Sequence, residues 1–132
     1  EEAEKLISAT SDALDRAIRA MRVGGHIGDI GDAVMQAAVK HDMGIIEGLS
    51  GHGVGYNVHE EPYVPNRAER GEGPELVPGL VIAIEPMFSL GSRTIKRMKD
   101  GYTFVTKDKS LSAHFEHTVA VTKDGIEVLT KI

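Results

Sequence analysis

Apolar positions recur at helical spacing near the amino end and at strand spacing in the carboxyl-terminal part, so the pattern predicts helices first and a sheet after them. From Glu4 to Arg22 the residues Leu6, Ile7, Ala13, Leu14, Ala17, Ile18 and Met21 mark one helix, ended by Gly24-Gly25. A second opens near Gly28, with Asp29 and Asp32 in its first turn and Ile30, Val34, Ala37 and Ala38 as its buried stripe; Gly44 is expected to stop it in a left-handed cap. Ile45-Ile46 reads as a short strand, Pro62 and Pro65 forbid a helix, and Asn66 to Val77, rich in mixed charge, reads as a surface loop without chemistry. Leu80 to Ile84 is a strand buried on both faces, and Thr94 to Lys99 pairs with Tyr102 to Thr106 around a two-residue turn at Asp100-Gly101, with Arg93, Lys96, Arg97 and Lys99 on its exposed face. Leu111 to Thr122 alternates as one strand, with His114, Glu116 and Thr118 on one face and Phe115, His117 and Val119 on the other. Asp124-Gly125 then turns the chain into Ile126 to Leu129. The fold class is α+β: two helices packed on a curved, mostly antiparallel sheet.

Composition narrows this picture. A chain of 132 residues suits a single domain over 1–132. Its 15 Lys and Arg against 20 Asp and Glu leave a net charge of -5, which argues against a nucleic-acid partner. Without cysteine, any metal must be held by imidazole and carboxylate, and a cytoplasmic location is expected. No apolar run is long enough to span a bilayer, and no basic-then-apolar leader precedes the first helix. The chain enters a helical pattern directly at Glu1, which reads as processing or as a fragment. His26 and His41, at helix edges, read as solvated surface histidines.

The candidate chemistry centres on Ser50 to Pro62, where His52 and His59 lie in a glycine-rich stretch. Gly51, Gly53 and Gly55 share the spacing of a dinucleotide-binding loop, but no helix follows to meet a phosphate. Glu85 comes directly after five apolar residues, and Glu116 lies inside the strand expected from Leu111. A Glu solvated at a strand end or paired with a lysine is the competing reading of Glu85. One imidazole with two carboxylates suits manganese, iron, cobalt or zinc, and a bridging carboxylate would let two ions share a hydroxide nucleophile. His59 could donate to a substrate carbonyl or its oxyanion. Spacing alone reaches only a metallohydrolase.

Gly51-His52-Gly53-Val54-Gly55, Val58-His59-Glu60-Glu61-Pro62, Ile84-Glu85-Pro86-Met87 and Phe115-Glu116-His117-Thr118, in that order, resemble type I methionine aminopeptidases. Lys99 to Tyr102 and Thr106 to Ala113 are similar to that family as well. The resemblance implies the carboxyl-terminal half of a pita-bread fold, in which two pseudo-symmetric halves enclose a dinuclear metal site, and an activity that removes the initiator methionine. It implies that His52 and Glu85 bind one ion, that Glu116 bridges two, that Glu85 also handles the proton of the attacking water, and that His59 contacts substrate. Val58 and Tyr102 fall where the family lines its methionine pocket, commonly with larger aromatics, and His114 joins the substrate-binding set. Two of the family's five ligands are aspartates of the other half, so one ion or none is expected here, with completion by an amino-terminal half or by a second copy in a homodimer. A non-catalytic peptide- or protein-binding module and an Xaa-Pro aminopeptidase are the alternatives.

Overall fold

A computed structural model describes residues 1–131. Two helices come first, α1 (Glu2–Ala20) and α2 (Ile27–His41). Ten short strands follow: β1 (Gly44–Ile45), β2 (Gly51–Gly53), β3 (Glu60–Val64), β4 (Val81–Ile84), β5 (Met87–Ser89), β6 (Ile95–Arg97), β7 (Phe104–Thr106), β8 (Ser112–His114), β9 (His117–Thr122) and β10 (Gly125–Val128). They form a five-stranded sheet in the order β10-β9-β4-β2-β3, a three-stranded sheet β1-β5-β8 and the hairpin β6-β7. Every pairing is antiparallel. Among the described residues no helix is long and apolar enough to cross a membrane.

The helices follow from their stripes. Ala9, Ala13 and Ala17, each fully buried, recur every fourth residue along α1, and their small side chains let α2 bring Ile30, Val34 and Ala37 close. Beneath the helices Ile82, Ile84, Phe88 and Val119 are inaccessible to solvent, so one core joins both layers. The five residues expected to form a buried strand behave as expected from Ile82 to Ile84, each wholly buried.

Several expectations give way to tertiary context. Helix α2 ends at Asp42, which takes the left-handed conformation at φ 56°, and Gly44 instead opens β1 opposite Ser89. Asp tolerates that conformation with a short polar side chain, so glycine was not required. The segment from Asn66 to Val77 has no regular structure, yet it is more than a surface loop. Its Pro74 and Glu72 carbonyls accept from the N–H groups of Ile27 and Gly28 at 2.9 and 2.8 Å, satisfying donors that the start of α2 leaves free. Leu76 is fully buried. Asp29 completes this helix start by accepting from the backbone N–H of His26 at 3.1 Å and of Gly71 at 3.0 Å.

The strand expected from Leu111 to Thr122 breaks at Phe115-Glu116, leaving β8 in one sheet and β9 in another. The hairpin around Asp100-Gly101 closes with a Met98 N–H to Thr103 carbonyl bond of 2.8 Å, so Lys99 to Tyr102 form a four-residue loop rather than a two-residue turn. Asp100 shapes it by accepting from the N–H groups of Tyr102 and Thr103 at 3.0 Å each. Arg93, Lys96, Arg97 and Lys99 are exposed, as expected.

The two helix-edge histidines are not simply solvated. His26 is half-buried, and its backbone forms an isolated antiparallel bridge with Glu75. His41 reaches Asp12 across the helix pair at 2.7 Å, where Asp12 also accepts from Arg16 at 2.8 Å and Lys40 at 3.2 Å. Burial pushes the Asp12 carboxyl up, but the bonds from His41, Arg16 and Lys40 outweigh it and hold the group well below the usual carboxylate range. A depressed carboxylate contributes stability above its unfolded value and loses it as pH falls through the folded one. Asp12→Asn is therefore expected to lower unfolding stability by about 1–2 kcal/mol at neutral pH. In urea titrations this deficit should narrow once pH drops below the usual carboxylate range.

Candidate metal centre

The break between the two sheets puts two carboxylates face to face. On one side Ile84 of β4 pairs with His117 of β9; on the other Met87 of β5 pairs with His114 of β8. The register is the same on both sides, so Glu85 and Glu116 stand opposite each other where neither ladder continues. Like charges directly opposed across a strand pair destabilise a sheet. A cation held between them would offset that repulsion.

His52 approaches from the neighbouring strand. It lies opposite Ala83 in the β2-β4 pairing, one pleat before Glu85 on the same face. Glycines flank it because β2 is pinched between β3 and β4: a Cβ at Gly51 would lie 2.2 Å from the Ala83 carbonyl oxygen, and one at Gly53 2.1 Å from that of Glu61. His52 Nδ1 sits 2.8 Å from the carbonyl oxygen of Gly53, which can only accept, so Nδ1 carries the proton and Nε2 is the free ring nitrogen of the neutral imidazole. Nε2 then points at Glu85 Oε1 from 3.0 Å. Two lone pairs aimed at one point fit a shared cation, and an imidazole anchored by its other N–H to a backbone carbonyl is the usual arrangement of a metal-ligating histidine. One ligand atom from each of His52, Glu85 and Glu116 lies within 4.8 Å of the others. This donor set suits a divalent ion of borderline hardness.

Glu85 is neither solvated nor paired with lysine. Its side chain is 11% exposed, and its second oxygen lies 3.4 Å from His114 Nε2. That hydrogen bond to Glu85 pushes the His114 imidazole up despite burial, with the charges of Glu85 and Glu116 adding to it. His114 Nε2 also lies 3.9 Å from Glu116. The expected alternation therefore survives the broken strand: His114 and Glu116 share a face, while His117 turns to Thr130.

A cleft of about 420 Å³ opens over the cluster, lined by His52, Val58, His59, Glu85, Glu116 and Thr118 among others. The His59 ring centroid is 4.1 Å from that of His52, tilted by 44°. Tyr102 is not among the lining residues; it stands 87% exposed on the β6-β7 loop. Asn66, to which the sequence assigned no chemistry, is 5% exposed and donates its side-chain amide to the Glu85 carbonyl at 2.7 Å. Nothing local in the sequence marks it, since the pair is separated by 19 positions. A larger cavity of about 740 Å³ lies against α2, lined by Met35, Met43, Arg67 and Arg93 among others, and shares no lining residue with the cleft over the cluster.

A family model described as metallopeptidase family M24 matches residues 1–123. The chain belongs to this family. It is 47% identical over 133 residues to the methionine aminopeptidase of Aquifex aeolicus, a match covering 99% of this chain and 52% of that protein. The crystal structure of methionine aminopeptidase from Rickettsia prowazekii superposes with a TM-score of 0.94 at 40% identity, covering 98% of this chain and 53% of that one. The chain thus spans about half the length of the relatives it matches, and its helices on antiparallel sheets are half of a pita-bread fold. X-Pro aminopeptidase from Thermotoga maritima, at TM-score 0.71 and 20% identity over 32% of its length, shares the fold. The expected divalent cofactor agrees with the metallopeptidase family M24 and with the candidate group of His52, Glu85 and Glu116 brought together here.

The opposed carboxylates predict different responses with and without metal. Under chelation, Glu116→Gln should raise stability by about 0.5 kcal/mol by relieving the repulsion across the break. With manganese added, the same substitution should weaken binding and remove the thermal stabilisation that the ion gives, both readable in one pair of melting series.

Proposed function

We propose that this chain, residues 1–132 as one domain, is the catalytic half of a methionine aminopeptidase that acts in the cytoplasm on the amino-terminal methionine of polypeptides. The observation that carries the reading is the convergence of His52, Glu85 and Glu116 within 4.8 Å at the floor of a cleft that also holds His59. The 47% identity to the Aquifex enzyme supports the substrate class. Manganese, cobalt, iron or zinc would be held by His52, Glu85 and Glu116. The bound ion supplies a Lewis acid and lowers the pKa of water.

The chain's own groups supply the rest. Glu85, largely enclosed, accepts a proton from the attacking water and can return it to the leaving amine. His114 steadies its second oxygen, so that one carboxylate can serve as both ligand and proton carrier. His59, exposed in the cleft beside His52, donates a hydrogen bond to the scissile carbonyl as charge develops on it. Val58, 72% exposed at the cleft, offers an apolar wall to the methionine side chain.

Because the chain spans about half of its relatives' length, we place completion of the site in the remaining half or in a second copy. The expected result is that the chain alone binds a single manganese or cobalt ion and releases no methionine from a Met-Ala peptide, and that release begins when the complementary half is added. Release by the chain alone, tracking a dimer in sedimentation, would assign completion to a second copy. Peptide binding that is indifferent to metal and to Glu116→Gln would instead make the chain a binding module.

A further inference from the structure

The direction of the Glu85 side chain is set by its backbone, and that backbone sits where sheet support runs out. Strand β4 ends at Ile84, Pro86 follows with no N–H to donate, and the residue opposite, Glu116, belongs to neither ladder. The Glu85 residue is only 9% exposed, so its carbonyl is an acceptor withdrawn from water with no strand partner. Asn66 supplies the donor at 2.7 Å. Nearby, the Pro86 carbonyl is met by the Phe115 N–H at 3.3 Å, so the Glu85 and Pro86 carbonyls are satisfied from different segments. Among the described residues no buried side-chain polar atom lacks a partner.

We propose that Asn66 is a positioning residue of the metal centre: its amide fixes the Glu85–Pro86 peptide plane and, through it, the direction from which the Glu85 carboxylate meets His52 and His114. The first part concerns this chain's geometry alone; the consequence for ion binding rests on the function proposed above. The loop that carries Asn66 is itself held. Pro65 restricts the residue before it, Leu76 is buried, and the Leu76 carbonyl and N–H bond Gly24 and Gly25 at 2.9 and 2.7 Å. Asn66 thereby ties the start of α2 to a ligand in the sheet. Without its donor the Glu85 carbonyl must turn to reach water, and the turn swings the side chain off its 3.0 Å approach to His52.

Three variants test this. Asn66→Leu keeps the shape and removes the donor; Asn66→His keeps an N–H at the same number of bonds from Cβ; Leu76→Ala loosens the same loop without touching the Asn66–Glu85 bond. In the metal-free chain, Asn66→Leu should shift the His52 and His114 imidazole nitrogen resonances, and Leu76→Ala should lower the melting temperature without shifting them. With metal, Asn66→Leu should weaken manganese binding about 10–100-fold and alter the visible absorption bands of the cobalt form, whereas Asn66→His stays near the wild type. Unchanged imidazole resonances and cobalt bands in Asn66→Leu would overturn the assignment, as would the same changes in Leu76→Ala. A wild-type chain that binds neither manganese nor cobalt would sink the metal-centre reading, while the metal-free resonances would still decide the role of Asn66.

Discussion

Two carboxylates held opposite each other at a break in the sheet are the constraint on which the rest of this structure depends. Glu85 and Glu116 occupy one of the two register positions, Pro86 and Phe115 the other, where the strands run past each other without belonging to a common ladder, since β4 and β9 lie on one side and β5 and β8 on the other. A continuous ladder would have set the pair into a regular sheet face and offered it no other partners. The break allows His52 and His114 to reach the two oxygens of Glu85 from separate strands. It also exposes backbone acceptors that must be satisfied from elsewhere.

The surrounding architecture meets that demand with rigid parts. Glycines on either side of His52 let β2 be pressed between two strands, so the imidazole is delivered by a backbone with little room to shift. Its Nδ1 bond to Gly53 settles which ring nitrogen faces the carboxylates. Beneath, Ile82, Ile84 and Val119 fill the core against the helices, so the strand ends next to Glu85 and Glu116 are anchored by packing. The helix pair is fastened by Asp12 of α1 through Lys40 and His41 of α2. The segment between β3 and β4 caps α2 with its carbonyls and reaches Glu85 through Asn66. A cluster of side chains held from several sides in this way suits the metal centre proposed above, because a carboxylate that must both hold an ion and move a proton tolerates little drift.

The sequence by itself determined the parts whose signal is local. Helical periodicity placed α1 and α2 within a few residues, because buried stripes need only the spacing of neighbours on one helix. The apolar run before Glu85 marked a buried strand, and alternation put Glu116 and Thr118 on a common face even though the strand was wrongly expected to be continuous. Motif wording placed the chain in its family. Tertiary structure alone decided the rest. The stop at Asp42, the four-residue loop at Lys99 to Tyr102 and the break at Phe115-Glu116 depend on which distant strand claims each N–H. The partners of His41, the bond from His114 to Glu85 and the reach of Asn66 across 19 positions depend on side chains meeting through space. Periodicity reports which way a residue faces along its own element; it carries no term for what waits on the other side, and a metal centre is made of what waits there.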